Sequence, residues 1–164
     1  MSRLATTALT LPMLCFAAVL TAGTLPENWS DWEAADTPLA QIGTLPGCDA
    51  DVSSLPDVYQ RTVALYWDVR PEGPGKVNGL ASESALPSYQ VRNGEFPDGA
   101  KAALHLSDLG LLMVTTYEGG TRVYQVFKED GEETTAEDGP LSADACASCH
   151  VDASCIDGQC GAIQ

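Results

Sequence analysis

The sequence predicts a mainly β domain of the α+β type, with an antiparallel sheet and a few short helices. The 164-residue chain contains several short runs rich in β-branched and aromatic residues, which favour strands. Those runs are separated by turn-forming dipeptides such as Gly119-Gly120 and Asp130-Gly131. The length is sufficient for one domain with its own hydrophobic core.

The N-terminus has the pattern of a secretory signal peptide. Arg3 is the only charged residue before Glu27, and the segment Ala8–Leu20 is mostly apolar. Small residues follow at positions 21–23, as a cleavage site requires. We therefore expect residues 1–23 to be removed and residues 24–164 to form the mature domain. An uncleaved anchor helix is the alternative, although the apolar run is short for a membrane span.

The first half of the mature chain is predicted to be irregular around one strand. Thr24–Pro56 is punctuated by prolines, and Trp29 and Trp32 are expected to anchor it by packing. Gln60–Val69 contains good β formers and is predicted to be a strand. Arg70–Gly79 is rich in Pro and Gly and is predicted to be a turn region.

A short helix and three strands are predicted next. The helix covers Pro87–Arg92 and ends at Asn93-Gly94, and a turn follows at Phe96–Gly99. The three strands are Lys101–Leu106, Leu111–Tyr117 and Arg122–Lys128, with a hairpin turn at Gly119-Gly120 between the last two.

The C-terminal part begins with an acidic segment. Glu129–Gly139 is expected to be exposed, and Ser142 is expected to cap a short helix that follows it.

That last helix contains the most specific motif of the chain, Cys146-Ala-Ser-Cys149-His150. Cys-x-x-Cys-His is the attachment pattern of c-type haem: two thiols add to the vinyl groups of the porphyrin, and the adjacent imidazole ligates the iron. A zinc knuckle or a redox disulfide is the alternative, but each would need a second ligand pair or a thioredoxin-like context. We therefore expect one covalent haem c, bound by Cys146, Cys149 and His150, with the sheet packed over it.

Export and charge agree with a haem protein outside the cytoplasm. Covalent haem attachment takes place outside the bacterial cytoplasm in most systems, so a periplasmic location is expected. The chain has 23 acidic and 8 basic side chains, a formal charge of −15. Such a surface disfavours nucleic acid and anionic membranes as partners. It is compatible either with a basic redox partner protein or with a merely solvated surface.

Three cysteines remain in the mature chain after haem attachment. In an oxidising compartment, Cys48, Cys155 and Cys160 are expected to give one disulfide and one free thiol. Cys155 and Cys160 are close in sequence and can pair, but Cys48 with either of them is equally allowed.

Four blocks of the sequence resemble the cytochrome P-460 family, which includes cytochrome P-460 proper and cytochrome c prime-beta. They are Leu25–Trp32 (LPENWSDW), Gly94–Ala100 (GEFPDGA), Val123–Gly131 (VYQVFKEDG) and the haem motif near the C-terminus. The resemblance implies an antiparallel-sheet monohaem protein with a five-coordinate iron, commonly a homodimer. It also implies that the iron binds nitric oxide, or a hydroxylamine-like substrate if the protein is an oxidoreductase.

The resemblance extends to the distal side of the haem. Alignment on the Asp-Gly turn puts Leu104 where cytochrome P-460 proper has a lysine linked to the porphyrin, and Lys101 lies three residues earlier. An odd offset in a strand points to the opposite face, so Lys101 is not expected to form the crosslink. An apolar residue such as Leu104 over the iron resembles cytochrome c prime-beta, which implies that Leu104 is part of an apolar distal wall. Arg61 is the nearest match to the family's distal arginine.

The sixth position on the iron separates the possible functions. If it is open, the protein binds or converts small nitrogen oxides. If Met113 or His105 fills it, the protein is an electron-transfer cytochrome. Met113 can equally be a core residue, and His105 is expected at the surface because it alternates with Leu104 and Leu106. A haem-bearing structural or sensor domain is a third possibility.

Overall fold

A computed structural model of the chain describes residues 23–35, 44–45, 47–55, 57–73, 75–91, 95–150, 155–156 and 159–160. Of the expected signal peptide, only Gly23 lies within these ranges. Asn93-Gly94, the expected end of the short helix, also lies outside them.

The described part of the chain is built around one antiparallel sheet. Its strands are β1 (Glu33–Ala34), β2 (Thr44–Leu45), β3 (Gly75–Ala81), β4 (Lys101–Leu106), β5 (Leu111–Glu118) and β6 (Thr121–Lys128). The order is β1-β3-β4-β5-β6, and β2 pairs with the start of β3 beside β1. The mainly β, antiparallel fold class expected from the sequence is confirmed.

Short helices complete the domain. They are the 3-10 turn Trp29–Asp31, α1 (Asp57–Trp67), α2 (Leu86–Val91) and α3 (Ala143–His150). α2 and α3 agree with the two short helices expected from the sequence. A small hairpin of β7 (Cys155–Ile156) and β8 (Gln159–Cys160) follows α3. Within the described residues, no helix has the length and apolar character needed to cross a membrane.

The strand predicted at Gln60–Val69 is wrong, because this segment belongs to helix α1. Its β-forming residues are arranged with helical spacing: Val63 and Tyr66 are three residues apart and both are buried. That spacing puts them on one side of a helix, where they pack against the sheet. Tertiary burial therefore outweighs the intrinsic β preference of the side chains.

The turn predicted at Arg70–Gly79 is only partly right. The chain turns at residues 70–73, but β3 begins at Gly75. Gly75 enters the strand with a φ of 83°, which favours glycine. β3 then pairs with β4 from Val77 opposite Leu106 to Ala81 opposite Ala102. Its Gly and Asn residues have low β propensity, so the sequence conceals a strand that cross-strand pairing stabilises.

The three strands predicted after residue 100 are confirmed to within one residue at either end. Gly119 and Gly120 connect β5 to β6 with φ angles of 56° and 76°. Two successive positive φ values are what a tight type I′ hairpin turn requires, and glycine adopts them without strain.

Alternate side chains of the strands point to two different layers. We call one side the helix face; it includes Leu104, Leu106 and Met113, which pack with α1. We call the other side the tryptophan face. There Ala103, Leu112, Val114 and Phe127 are covered by the N-terminal segment, as the sequence predicted for its tryptophans. The residues of that cover are Leu25, Trp29 and Trp32.

The core on the tryptophan face gives a direct test of the fold. Phe127 is fully buried and lies opposite Leu112 in the β5–β6 pairing. Phe127→Ala removes an aromatic ring from a packed core, so we expect the free energy of unfolding to fall by about 3–5 kcal/mol. Val123→Ala is the matched control on the same strand, because Val123 is 38% exposed and should cost far less. Equal losses for both variants in urea denaturation would contradict this packing.

The β7–β8 pairing favours one of the disulfides that the sequence left open. Cys155 lies directly opposite Cys160. Directly opposed residues have Cα atoms about 4.5–5.5 Å apart, which suits a disulfide. Cys48 is exposed and unpaired. In exported protein without reductant, we expect an alkylating reagent to modify Cys48 and to spare Cys155 and Cys160, as peptide mass mapping would detect. Protection of Cys48 would show that a different pairing forms.

Candidate functional site

The three residues Cys146, Cys149 and His150 of the sequence motif belong to helix α3. Successive residues of an α-helix are rotated by about 100°, so positions 146, 149 and 150 fall within a single arc of the helix surface. The helix begins after two buried residues, Leu141 and Ser142. The backbone N–H of Cys146 donates to the carbonyl of Ser142 at 3.1 Å, which is the first helical bond. The buried start therefore fixes the direction in which the motif points.

The end of α3 lies against the helix face at β6. The ring of His150 is 5.1 Å from that of Tyr124, with a tilt of 39° between the two planes. Cys146 is half-buried. Cys146 helps to raise the pKa of Tyr124, because a thiolate would repel a tyrosinate. The two side chains are therefore close in space. The structure thus brings Cys146 and His150 together at one place on the sheet.

The helix face next to this place is made of small side chains. The register aligns Ala81, Ala102, Thr115 and Tyr124 in one row across four strands. Ala81 and Ala102 are buried and Thr115 is half-buried. Ala81 is fully buried in a cluster with Ala85 and Ala100, against which Tyr89 and Phe96 pack, so this end of the row is covered by other residues of the chain.

The neighbouring row contains Leu104, a distal candidate, and Met113, a candidate sixth ligand. Leu104 lies opposite Met113, and both pack against the core formed with α1. The hydroxyl of Tyr66 donates to the sulfur of Met113 at 3.4 Å. Leu104 is therefore an apolar residue of the helix face, as expected. Met113 takes part in the core, as its core alternative predicted.

Arg61 does not occupy the position expected for it. It lies on α1 with an exposed side chain, because the segment that contains it is a helix and not the first main strand. The arginine on the helix face is Arg122 of β6, which the sequence analysis did not select. It lies opposite Tyr117 in the β5–β6 pairing. Residues two positions apart in a strand point to the same face, so the spacing of Arg122 and Tyr124 is the sequence signal that indicates a shared face.

Arg122 and two tyrosines form a polar group beside the motif. Burial raises the pKa of Tyr117 well above its ordinary value, and the nearby Tyr89 raises it further, while Arg122 opposes both effects. Burial also raises the pKa of Tyr124, and the Arg122 guanidinium again lowers it through charge and a hydrogen bond. Both phenols are therefore neutral at ordinary pH and can share the arginine as hydrogen-bond acceptors.

The other histidine and the lysine candidate lie on the tryptophan face. His105 packs against Trp29 with 5.0 Å between the ring centroids, and its Nε2 is 2.6 Å from Glu129 Oε1. Lys101 is on the same side of β4, since positions 101, 103 and 105 alternate with Leu104. His105 does face away from Leu104 and Leu106. Its side chain is 16% exposed, which is intermediate between a core and a surface position.

Protein side chains alone do not form a metal site in the part of the chain described here. Among these residues, no group of three or more His, Cys, Asp or Glu side chains is placed to hold a metal ion. The donor set of α3 instead fits a porphyrin, which brings four ligands of its own and needs one axial imidazole and two thiols from the protein.

Comparison of the chain with protein-family models, curated proteins and solved structures finds no match.

The raised pKa values of the tyrosines predict how stability changes in base. An unfolded tyrosine loses its proton near pH ~10, whereas buried Tyr117 keeps it. Above that pH the native state binds more protons than the unfolded state, so the free energy of unfolding falls as pH rises. We expect Tyr117→Phe to lose less stability than the wild type between about pH 10 and pH 12. Urea midpoints measured across this range check it, and parallel curves would contradict the burial of the phenol.

Proposed function

We propose that this chain is an exported c-type cytochrome that binds one haem covalently on the helix face. Cys146 and Cys149 would form the thioether bonds, and His150 would be the proximal ligand of the iron. The observation that carries the proposal is the contact of His150 with Tyr124, next to the half-buried Cys146. Through this contact the end of α3 lies against β6 and not in open solvent.

The surrounding residues would hold the haem and control access to it. Leu104 would form an apolar wall, which excludes water and disfavours anions because a buried polar ligand without partners is costly. Arg122 would bind a carboxylate of the porphyrin, since it is a cation among neutral phenols on the same face. Most charged side chains of the chain are acidic, so Arg122 would be the positive group near the motif that attracts the negative carboxylates of the haem.

The proposed activity is the binding or conversion of a small nitrogen oxide, with nitric oxide as the favoured ligand. The haem would supply an iron able to bind a diatomic molecule or hydroxylamine. An apolar wall favours a neutral diatomic over a charged or strongly hydrated ligand. A lysine crosslink like that of cytochrome P-460 is disfavoured, because Lys101 lies on the face opposite to His150. Hydroxylamine oxidation is accordingly the weaker form of this proposal.

An electron-transfer cytochrome is the second candidate. Met113 is on the helix face and could reach the iron only by leaving the core, where its sulfur accepts a hydrogen bond from Tyr66. His105 is disfavoured as the sixth ligand, because the sheet lies between it and His150. If the protein is an electron-transfer cytochrome, its acidic surface would be the docking surface for a basic redox partner. A homodimer would be compatible with either of the two functions.

The spin state of the iron tests these two functions. We expect the ferric holoprotein to be high-spin and five-coordinate and to bind nitric oxide stoichiometrically, because the sixth position is open. Met113→Leu should leave this spectrum unchanged, since it removes the sulfur while keeping an apolar side chain. His105→Gln is the matched control on the opposite face. A low-spin ferric spectrum that Met113→Leu converts to high-spin would replace the nitric oxide proposal with electron transfer.

A further inference from the structure

Glu133 is a half-buried carboxylate held by neutral donors. It follows β6 and forms a bridge with Phe127. Its Oε2 accepts a hydrogen bond from the backbone nitrogen of Gly23 at 2.7 Å, and its Oε1 accepts one from Gln125 Nε2 at 3.0 Å. Across the described ranges, no lysine or arginine forms an ion pair with Glu133. A carboxylate removed from water in this way is stabilised most strongly by a cation.

Gly23 can occupy this position without a steric clash because it has no side chain. A Cβ at residue 23 would collide with the terminal amide of Gln125. That amide would then have to move away from Glu133, and one of the two hydrogen bonds to the carboxylate would be lost. The clash is with the far end of a flexible side chain, so a larger residue at position 23 would weaken this arrangement without excluding it.

The same nitrogen lies in the wall of a cavity on the tryptophan face. The cavity has a volume of about 380 Å³, and its lining includes Gly23, Thr24, Lys101, Thr116 and Gln125. It is large enough and polar enough to hold several waters. A group at residue 23 with more than one N–H could therefore donate to Glu133 and to water together.

We propose that the signal peptide is cut between Ala22 and Gly23, and that the new α-ammonium of Gly23 forms an ion pair with Glu133. Hydrolysis adds one water across this peptide bond: Ala22 keeps the carboxylate, and the amine of Gly23 takes a proton. The cut gives a mature chain one residue longer than the sequence analysis expected. Ala22 is a small residue before the cut, as processing requires. The proposal rests on export and is independent of haem.

Processing would then be coupled to stability. Before the cut, Gly23 offers Glu133 a neutral amide; after the cut, it offers a charged group at the same place. The ion pair with Glu133 would hold Gly23 in place, and with it the start of the N-terminal segment that covers the tryptophan face.

The first experiment is N-terminal sequencing of the exported protein. We expect a single sequence that begins Gly-Thr-Leu-Pro. A start at Thr24, at any later residue or at Met1 would overturn the proposal. This result does not depend on whether the preparation contains haem, so it is separate from the test of the proposed function.

The second experiment measures the ion pair by its charge. We expect Glu133→Gln to lower Tm of the processed protein by about 2–4 °C, since the acceptor remains and only the charge is removed. After Nα-acetylation, which keeps the N–H but removes the positive charge, the same substitution should have a much smaller effect. Glu137→Gln, at an exposed residue of the same segment, is the control and should change Tm by equal small amounts in both forms. An effect of Glu133→Gln that acetylation leaves unchanged would exclude the ion pair.

Discussion

The docking of α3 on β6 is the interaction on which the account of this protein depends. A Cys-x-x-Cys-His helix could lie anywhere on a domain surface, and the contact of His150 with Tyr124 assigns it to one face of the sheet. The strand register then decides what else is on that face. A slip by one residue would exchange the two faces and bring His105 and Lys101 to the motif in place of Leu104 and Met113.

The two faces of the sheet therefore carry different tasks. The helix face combines the motif of α3 with the apolar residues Leu104 and Met113 and with the half-buried Arg122. The tryptophan face buries its apolar residues under the N-terminal segment and holds His105 in contact with Glu129. The two histidines of the chain, His105 and His150, therefore lie on opposite faces of the sheet.

The sequence identified the elements whose local pattern agrees with their tertiary role. β4 to β6 alternate in polarity and end at glycine turns, and the motif in α3 is specific by itself. Prediction from the sequence failed where the local pattern and the tertiary role of an element disagree. β-branched and aromatic residues in α1 concealed a helix that is held by the burial of Val63 and Tyr66, and glycines in β3 concealed a strand. Arg61 lies on that helix and not on a strand, and Arg122, two residues before Tyr124, shares a face of the sheet with that tyrosine.

The mass of the exported polypeptide tests the central claim most directly. If α3 is a haem-attachment helix, the intact protein under denaturing conditions carries one porphyrin and its iron, and the thiols of Cys146 and Cys149 no longer react with alkylating reagents. A mass equal to that of the processed polypeptide alone, with both thiols reactive, in cells equipped for c-type cytochrome maturation, would contradict the account.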